Sequence, residues 1–386
     1  MMVMKNSIHG SKASLIQFLE QVTKRFLDMR YSLHQWSLPV SFMVVCPTRK
    51  NFSQKKIVTM MMCKQAHASL LQMPINLSLL RHRPQKEKVV VVMGATGTGK
   101  SRLAVDLATR YPAEIINSDK MQVYEGLDIV TNKITDEESD SVPHHLIGIV
   151  DPEADFTSSD FVSTSSVAMK SIIGRNKLPI IAGGSNSFIE ALVDDRNYEF
   201  QSSYDVCFLW VDVAMPVLQQ FVSDRVNRMV AAGMVDEVRK LFNPNSDYSK
   251  GIRRAIGVPE FDSFFRSEYS SSTDENLRSK LLESAINETK INTCKLACRQ
   301  LRKIQRLKNI KGWKIHRLDA TKAFQQSGKH ADDAWAELVA APGSTIVSHF
   351  TNEFDHSQGF TTTASDGGRK VIREFERRTA VATARR

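Results

Sequence analysis

The eight residues Gly94, Ala95, Thr96, Gly97, Thr98, Gly99, Lys100 and Ser101 have the spacing G-x-x-x-x-G-K-[ST]. Each residue type has a physical use there. The glycines let backbone N–H groups curl around an anion, Lys100 adds a full positive charge, and the Ser101 hydroxyl is placed to ligate Mg²⁺. The chemistry is diphosphate binding, and the loop alone does not say which diphosphate. Further on, Ser118-Asp119-Lys120-Met121-Gln122 presents a carboxylate. Asp119 can take a proton from a nucleophile, or it can cap a helix. Thr131 and Lys133 follow, the lysine as a second phosphate contact or a solvated loop charge. Gly183-Gly184-Ser185-Asn186-Ser187 suits close approach of a ligand, or a tight turn. Arg225 and Arg228 share a helical turn, and Arg228 reads as a surface charge. Arg253 and Arg254 are adjacent cations for the phosphates of an acceptor. Asp212 follows an apolar run, either as an imitation of a Walker B acid or as a cap.

These groups converge only if particular elements carry them. Val89–Met93 is continuously apolar and reads as a buried parallel strand. Leu103, Ala104, Leu107 and Ala108 give the segment after Ser101 a helical buried face. Further strands are expected at 113–117, 177–182 and 207–211, each running into one of the polar clusters above. In a doubly wound sheet the carboxyl ends of neighbouring strands face one crevice. Residues 215–242 read as helical with a break at Gly233, and a long helix is expected over 276–309. That helix carries Lys295, Arg299, Arg302, Lys303, Arg306 and Lys308, a pattern that suits RNA phosphates or a solvated face packing Leu296, Leu301, Ile304 and Leu307 inward. The second reading is preferred. Cys294 and Cys298 lie one turn apart without further metal ligands nearby and read as structural.

The composition narrows the classes. The 386 residues carry a net charge of +10, and residues 1–85 account for all of it with 12 Lys+Arg against 2 Asp+Glu. The remainder is neutral, so the body has no general attraction for nucleic acid. The basic, acid-poor segment 1–85 has the composition of an organelle transit peptide or a disordered extension, so an organelle is the expected destination, with the cytoplasm as the alternative. No apolar run is long enough to cross a membrane as a helix. Five cysteines in a chain this long do not form a disulfide framework. The polar residues 343–386 read as a mobile tail. Oligomeric state is left open, a monomer being compatible with everything above.

In order and spacing, Gly94–Ser101, Asn117–Tyr124, Gly126–Lys133, Pro143–Leu146, Gly183–Ser187, Asp224–Met229 and Gly251–Gly257 resemble the isopentenyltransferase family. That family comprises the tRNA dimethylallyltransferases and the plant adenylate isopentenyltransferases that make cytokinins. GATGTGKS, INSDKMQVY, GLDIVTNK and GIRRAIGVPEF are similar to the plant adenylate branch. The resemblance implies a P-loop NTPase-like parallel sheet flanked by helices, with a smaller helical insertion closing a substrate channel. The expected divisions are a core over 86–212, the insertion over 213–275 and C-terminal helices over 276–342. It further implies transfer of a dimethylallyl group from dimethylallyl diphosphate to the N6 amine of ATP, ADP or AMP, with Mg²⁺. Asp119 then matches the family's base, Lys100 and Arg225 its cations on the leaving diphosphate, and Ser185 the hydroxyl at the bridging oxygen. The family's tRNA-modifying members usually have Thr at that last position. Ser118, Asp119, Gln122, Thr131, Lys133, Arg253 and Arg254 are the acceptor-side candidates, and His144 and His145 become wall or structural residues. Eukaryotic tRNA-modifying relatives commonly carry a Cys₂His₂ zinc module after the core. No cysteine follows Cys298 here, which favours the free nucleotide over tRNA. A small-molecule kinase is the reading from another class, since a P-loop with an acid after the second strand is also its pattern.

Overall fold

Val89, Val90, Val91 and Val92 have no solvent exposure, as a strand covered on both faces requires. They form the centre of β1 (Glu87–Gly94) in a computed structural model that describes residues 86–195, 200–268 and 274–352. On one side of β1 runs β4 (Leu178–Ala182) and on the other β5 (Tyr204–Asp212), with Val91 level with Ile181 and Phe208. Beyond β4 come β2 (Ala113–Asn117) and the two-residue β3 (His144–His145), while β6 (Ile315–Asp319) pairs with β5. The order β3-β2-β4-β1-β5-β6 is parallel throughout. The expected parallel sheet flanked by helices is the architecture observed.

Because strand side chains alternate, β1 feeds two cores. Val90 and Val92 pack with Leu103 and Leu107 of α1 (Lys100–Ala108). Val89, Val91 and Met93 pack on the opposite face, where α2 (Ser158–Ile173) and α3 (Asn186–Val193) meet through stacked Phe161 and Phe188 rings at 4.8 Å. After β5 the chain is helical. It forms α4 (Met215–Ala231), α5 (Met234–Leu241), α6 (Asp262–Glu268) and the 35-residue α7 (Glu275–Asn309), with Gly233 at φ 99° making the break between α4 and α5. Ala285, Ala297, Ile304 and Leu307 of α7 are buried, and the basic side chains lie on its other faces. Lys303 and Arg306 pair with Glu190 of α3 and Lys311 with Asp194, so this end of the basic helix is neutralised within the protein.

Two expectations about the C-terminal part need correction. Residues 276–342 are not purely helical, because β6 extends the sheet there. Only Ile315 and Leu318 of its five residues are buried, so its sequence carries the weak pattern of an edge strand. Nor does a mobile tail begin at 343. After α8 (Gly328–Trp335) and a π-helical turn, α9 (Ala341–Asn352) packs back on the sheet. Val339, Ala340, Gly343 and Val347 form its buried stripe, which a Gly/Ser/Thr-rich composition conceals. The transit-peptide reading of 1–85 and the rest of the tail, 353–386, lie outside the described residues. Among the described residues no helix is long and apolar enough to cross a membrane.

Candidate active site

The P-loop begins where β1 ends. Thr98 and Lys100 both reach back to the Ala95 carbonyl: Thr98 Oγ1 donates at 2.9 Å and Lys100 Nζ at 2.7 Å. This curl keeps Thr96, Gly97, Gly99, Lys100 and Ser101 on the wall of a cavity of about 1140 Å³. Gly94, Ala95 and Thr98 form the buried base of the loop instead. Arg225 of α4 enters from above, with Nη2 donating to Thr96 Oγ1 at 2.9 Å. Its Nε is buried without a hydrogen-bond partner, an unspent donor beside an anion loop. Behind the loop, the Trp335 indole leaves no space at Gly99: a Cβ there would sit 2.5 Å from the ring, and φ is +88°. Both facts demand glycine. Trp335 Nε1 donates to Asp106 Oδ2 at 2.7 Å, and the Arg102 guanidinium lies 4.8 Å from the ring centroid.

Asp119, two residues beyond the end of β2, lines the same cavity. The Asn117 side chain accepts from its backbone N–H at 2.9 Å, and its own Oδ1 accepts from Met121 N–H at 3.0 Å. The carboxylate is thereby oriented by its own turn. Ser185 is held alongside, its hydroxyl accepting from Lys120 N–H at 2.8 Å. Gln122 and Thr131 also line the cavity, and Gln122 Nε2 donates to the Thr131 and Asn132 carbonyls. Glu237 fixes that loop from α5 by accepting the Ile129 and Val130 N–H groups.

Three acceptor-side candidates are placed elsewhere. Ser118 is fully buried under Gly183, whose Cα leaves no space for a side chain, and its hydroxyl has no partner. Lys133 Nζ donates to Asp128 Oδ1 and the Gly126 carbonyl, both at 2.7 Å, and is not on the cavity wall. Its side chain is 8% exposed, so it is a covered, ion-paired lysine and not the solvated loop charge that was the alternative. Arg253 points away, donating to Glu153 and to the Leu241 carbonyl at 2.7 Å each. Only Arg254 of the pair lines the cavity, with Nη2 donating to the Tyr124 hydroxyl at 2.8 Å. Arg228 is exposed, as its reading as a surface charge has it, and it also borders the cavity mouth 5.3 Å from the Phe221 ring centroid. Asp212 pairs with Arg317 of β6 at 2.7 Å and is no Walker B acid.

The charges on the two sides sense one another. Burial pushes the Lys100 ammonium down to about 8, Asp119 opposes the shift, and Arg225 adds to it. Burial likewise brings Arg225 to about 10, with Asp119 opposing and Arg228 adding. Both cations are therefore kept charged partly by the candidate base. His144 borders the cavity and burial lowers its pKa. His145 instead joins Arg175 and Lys177 on Glu114. Among the described residues no cluster of three His, Cys, Asp or Glu side chains forms. A metal ion here would have the exposed Ser101 hydroxyl as its protein ligand and take its remaining oxygens from a diphosphate and water, a donor set suited to Mg²⁺.

One residue at the centre of the site is not among the sequence candidates. Gln300 of α7 is buried; its Oε1 accepts from Thr96 N–H at 2.7 Å and its Nε2 donates to the Gly184 carbonyl at 2.9 Å. The available signal was a glutamine on the stripe Thr293, Ala297, Gln300, Ile304, where a polar side chain needs a buried partner.

Comparison with known proteins identifies the assembly. The family model for IPP transferase matches residues 122–203 and 194–306. Adenylate isopentenyltransferase 3 (chloroplastic) of Arabidopsis thaliana is 54% identical over 303 residues, covering 76% of this chain and 90% of the relative. Adenylate isopentenyltransferase 5 (chloroplastic) of the same plant is 59% identical over 282 residues, covering 71% and 84%. A crystal structure of a eukaryotic dimethylallyltransferase acting on tRNA shares the fold, with a TM-score of 0.57 at 24% identity over 69% of this chain and 80% of that one. The chain belongs to the isopentenyltransferase family.

Proposed function

We propose that the protein transfers the dimethylallyl group of dimethylallyl diphosphate to the N6 amine of free ATP, ADP or AMP. The observation that carries this reading is one cavity lined by the cations Lys100 and Arg225 and by the carboxylate of Asp119, which both cations sense. The adenylate activity named for relatives at 54% and 59% identity supports the free nucleotide as acceptor. The N6–C1 bond forms as the C1–O bond breaks, the amine proton passes to Asp119, and diphosphate leaves with the bonding pair. An aromatic amine is a poor nucleophile, so loss of its proton to a positioned base matters. Negative charge grows on the diphosphate as the bond breaks, so Lys100, Arg225 and the Ser185 hydroxyl bind the transition state more tightly than the ground state. Gln122, Thr131 and Arg254 border the acceptor side. The Ser101 hydroxyl would hold Mg²⁺, which would supply further positive charge to the diphosphate. The chloroplastic relatives support a plastid destination, with 1–85 as the targeting segment.

The test is a product assay on the full chain with Mg²⁺, dimethylallyl diphosphate and, in parallel, ATP, ADP, AMP or unmodified tRNA. Prenylated free nucleotide is the expected product. Prenylated tRNA alone would move the protein to the RNA-modifying branch, and ADP formed from ATP with phosphoryl transfer to an added small-molecule acceptor, without isoprenoid product, would make it a kinase.

A further inference from the structure

The Gln300 side chain bonds both to the P-loop, at Thr96, and to the strand end at Gly184 beside Ser185. Its carbonyl oxygen takes the Thr96 N–H, so this amide of the P-loop faces α7 and not the cavity. The hydroxyl of the same Thr96 accepts from Arg225. Its amide nitrogen holds the Gly184 carbonyl, and the next residue is Ser185, whose hydroxyl accepts from Lys120 N–H beside Asp119. The approach is close. A Cβ on Gly184 would lie 2.4 Å from Gln300 Nε2 and 3.3 Å from Asp119 Oδ2. A buried amide with both its ends paired has one orientation, and any other leaves a buried donor or acceptor unpaired.

We infer that Gln300 is a positioning residue for the transfer, fixing the span between the diphosphate loop with Arg225 and the Ser185–Asp119 side. The inference rests on the function proposed above. Bond making and breaking at one allylic carbon require amine, carbon and leaving oxygen in line, and displacement by about 1 Å can cost roughly 10²-fold in rate. Gln300 bonds to the loops that hold both ends and touches no reacting atom. Its removal should therefore lower kcat and leave donor binding by Lys100, Arg225 and the rest of the P-loop in place.

The experiment compares wild type, Gln300→Met and Gln300→Glu in the full chain. Turnover is expressed per folded chain from thermal unfolding monitored by circular dichroism. Gln300→Met removes both hydrogen bonds at similar volume. Gln300→Glu keeps an acceptor for Thr96 N–H but turns an oxygen towards the Gly184 carbonyl. Both variants are expected to lose about 100-fold in kcat while KM for dimethylallyl diphosphate changes less than about threefold. Wild-type kcat per folded chain in both variants, with only the unfolding midpoint lowered, would show a structural tie and overturn the assignment. Wild-type kcat in Gln300→Glu alone would reduce the role to the P-loop contact and overturn the bridge. If wild type makes prenylated nucleotide, either result counts against Gln300 alone. If wild type makes none, the proposed function falls and the assignment with it.

Discussion

Asp119→Asn changes charge while sparing shape. The amide oxygen still accepts the Met121 N–H, and Asn117 still accepts the backbone N–H of residue 119. What goes is the proton acceptor and a negative charge that two part-buried cations sense. Loss of a general base costs about 10²–10⁴ in rate, or roughly 3–5 kcal/mol. A second effect follows from the electrostatics. Lys100 sits at about 8 only because Asp119 holds it up against burial and Arg225, so removing the carboxylate lowers the lysine further. The alkaline limb of kcat/KM, which reports the free enzyme, should fall near pH 8 in wild type and at lower pH in the variant. The assay is chromatographic measurement of prenylated nucleotide across about pH 6 to about pH 9, with dimethylallyl diphosphate far below KM. A variant within threefold of wild type would refute Asp119 as base. An unmoved alkaline limb would refute the charge coupling across the cavity.

Two further outcomes are expected. Arg254→Ala should raise the KM of the acceptor nucleotide several-fold and Arg253→Ala should leave it unchanged, because only the former borders the cavity; steady-state kinetics at saturating donor decide this. Glu114→Gln should lower stability at neutral pH by about 2 kcal/mol, after discounting for the part-exposed partners. Burial would raise the Glu114 carboxyl, but hydrogen bonds from Lys177, His145 and Arg175 bring it down to about 2. A lowered folded-state pKa gives stability that is present above the unfolded value of about 4.5 and is lost as pH falls towards 2. Denaturant midpoints of the two proteins should therefore differ at pH 7 and converge at the acid end.

Local pattern made the core of the molecule legible. Val89–Met93 announced a strand covered on both faces, and the P-loop spacing fixed where Lys100 and Ser101 had to stand. The rule that strand ends share a crevice put Asp119 and the cluster 183–187 near the P-loop, the family resemblance singled out Ser185 and favoured Asp119 as base over cap, and both side chains line the cavity. Arg253 and Lys133 misled because a cation in a sequence does not name its partner: Glu153 and Asp128 claim them through contacts that sequence order does not predict. Gln300 escaped notice for the opposite reason, since its role depends on two loops about 116 and 204 residues away in the chain. β6 and α9 were hidden because a half-exposed edge strand and a helix seated on small residues carry little hydrophobic signal.

Trp335 packed against Gly99 and bonded to Asp106 has a consequence for how the protein comes into being. A ribosome delivers the N-terminal P-loop early and Trp335 some 236 residues later, a delay of tens of seconds at about 5–20 residues per second. For that interval the nascent phosphate loop lacks its back wall and offers an unfinished nest to every polyphosphate in the cell. The wall behind Gly99 therefore closes only after nearly all of residues 86–352 have been synthesised, so the first strand's loop is finished by a side chain near the far end of that span.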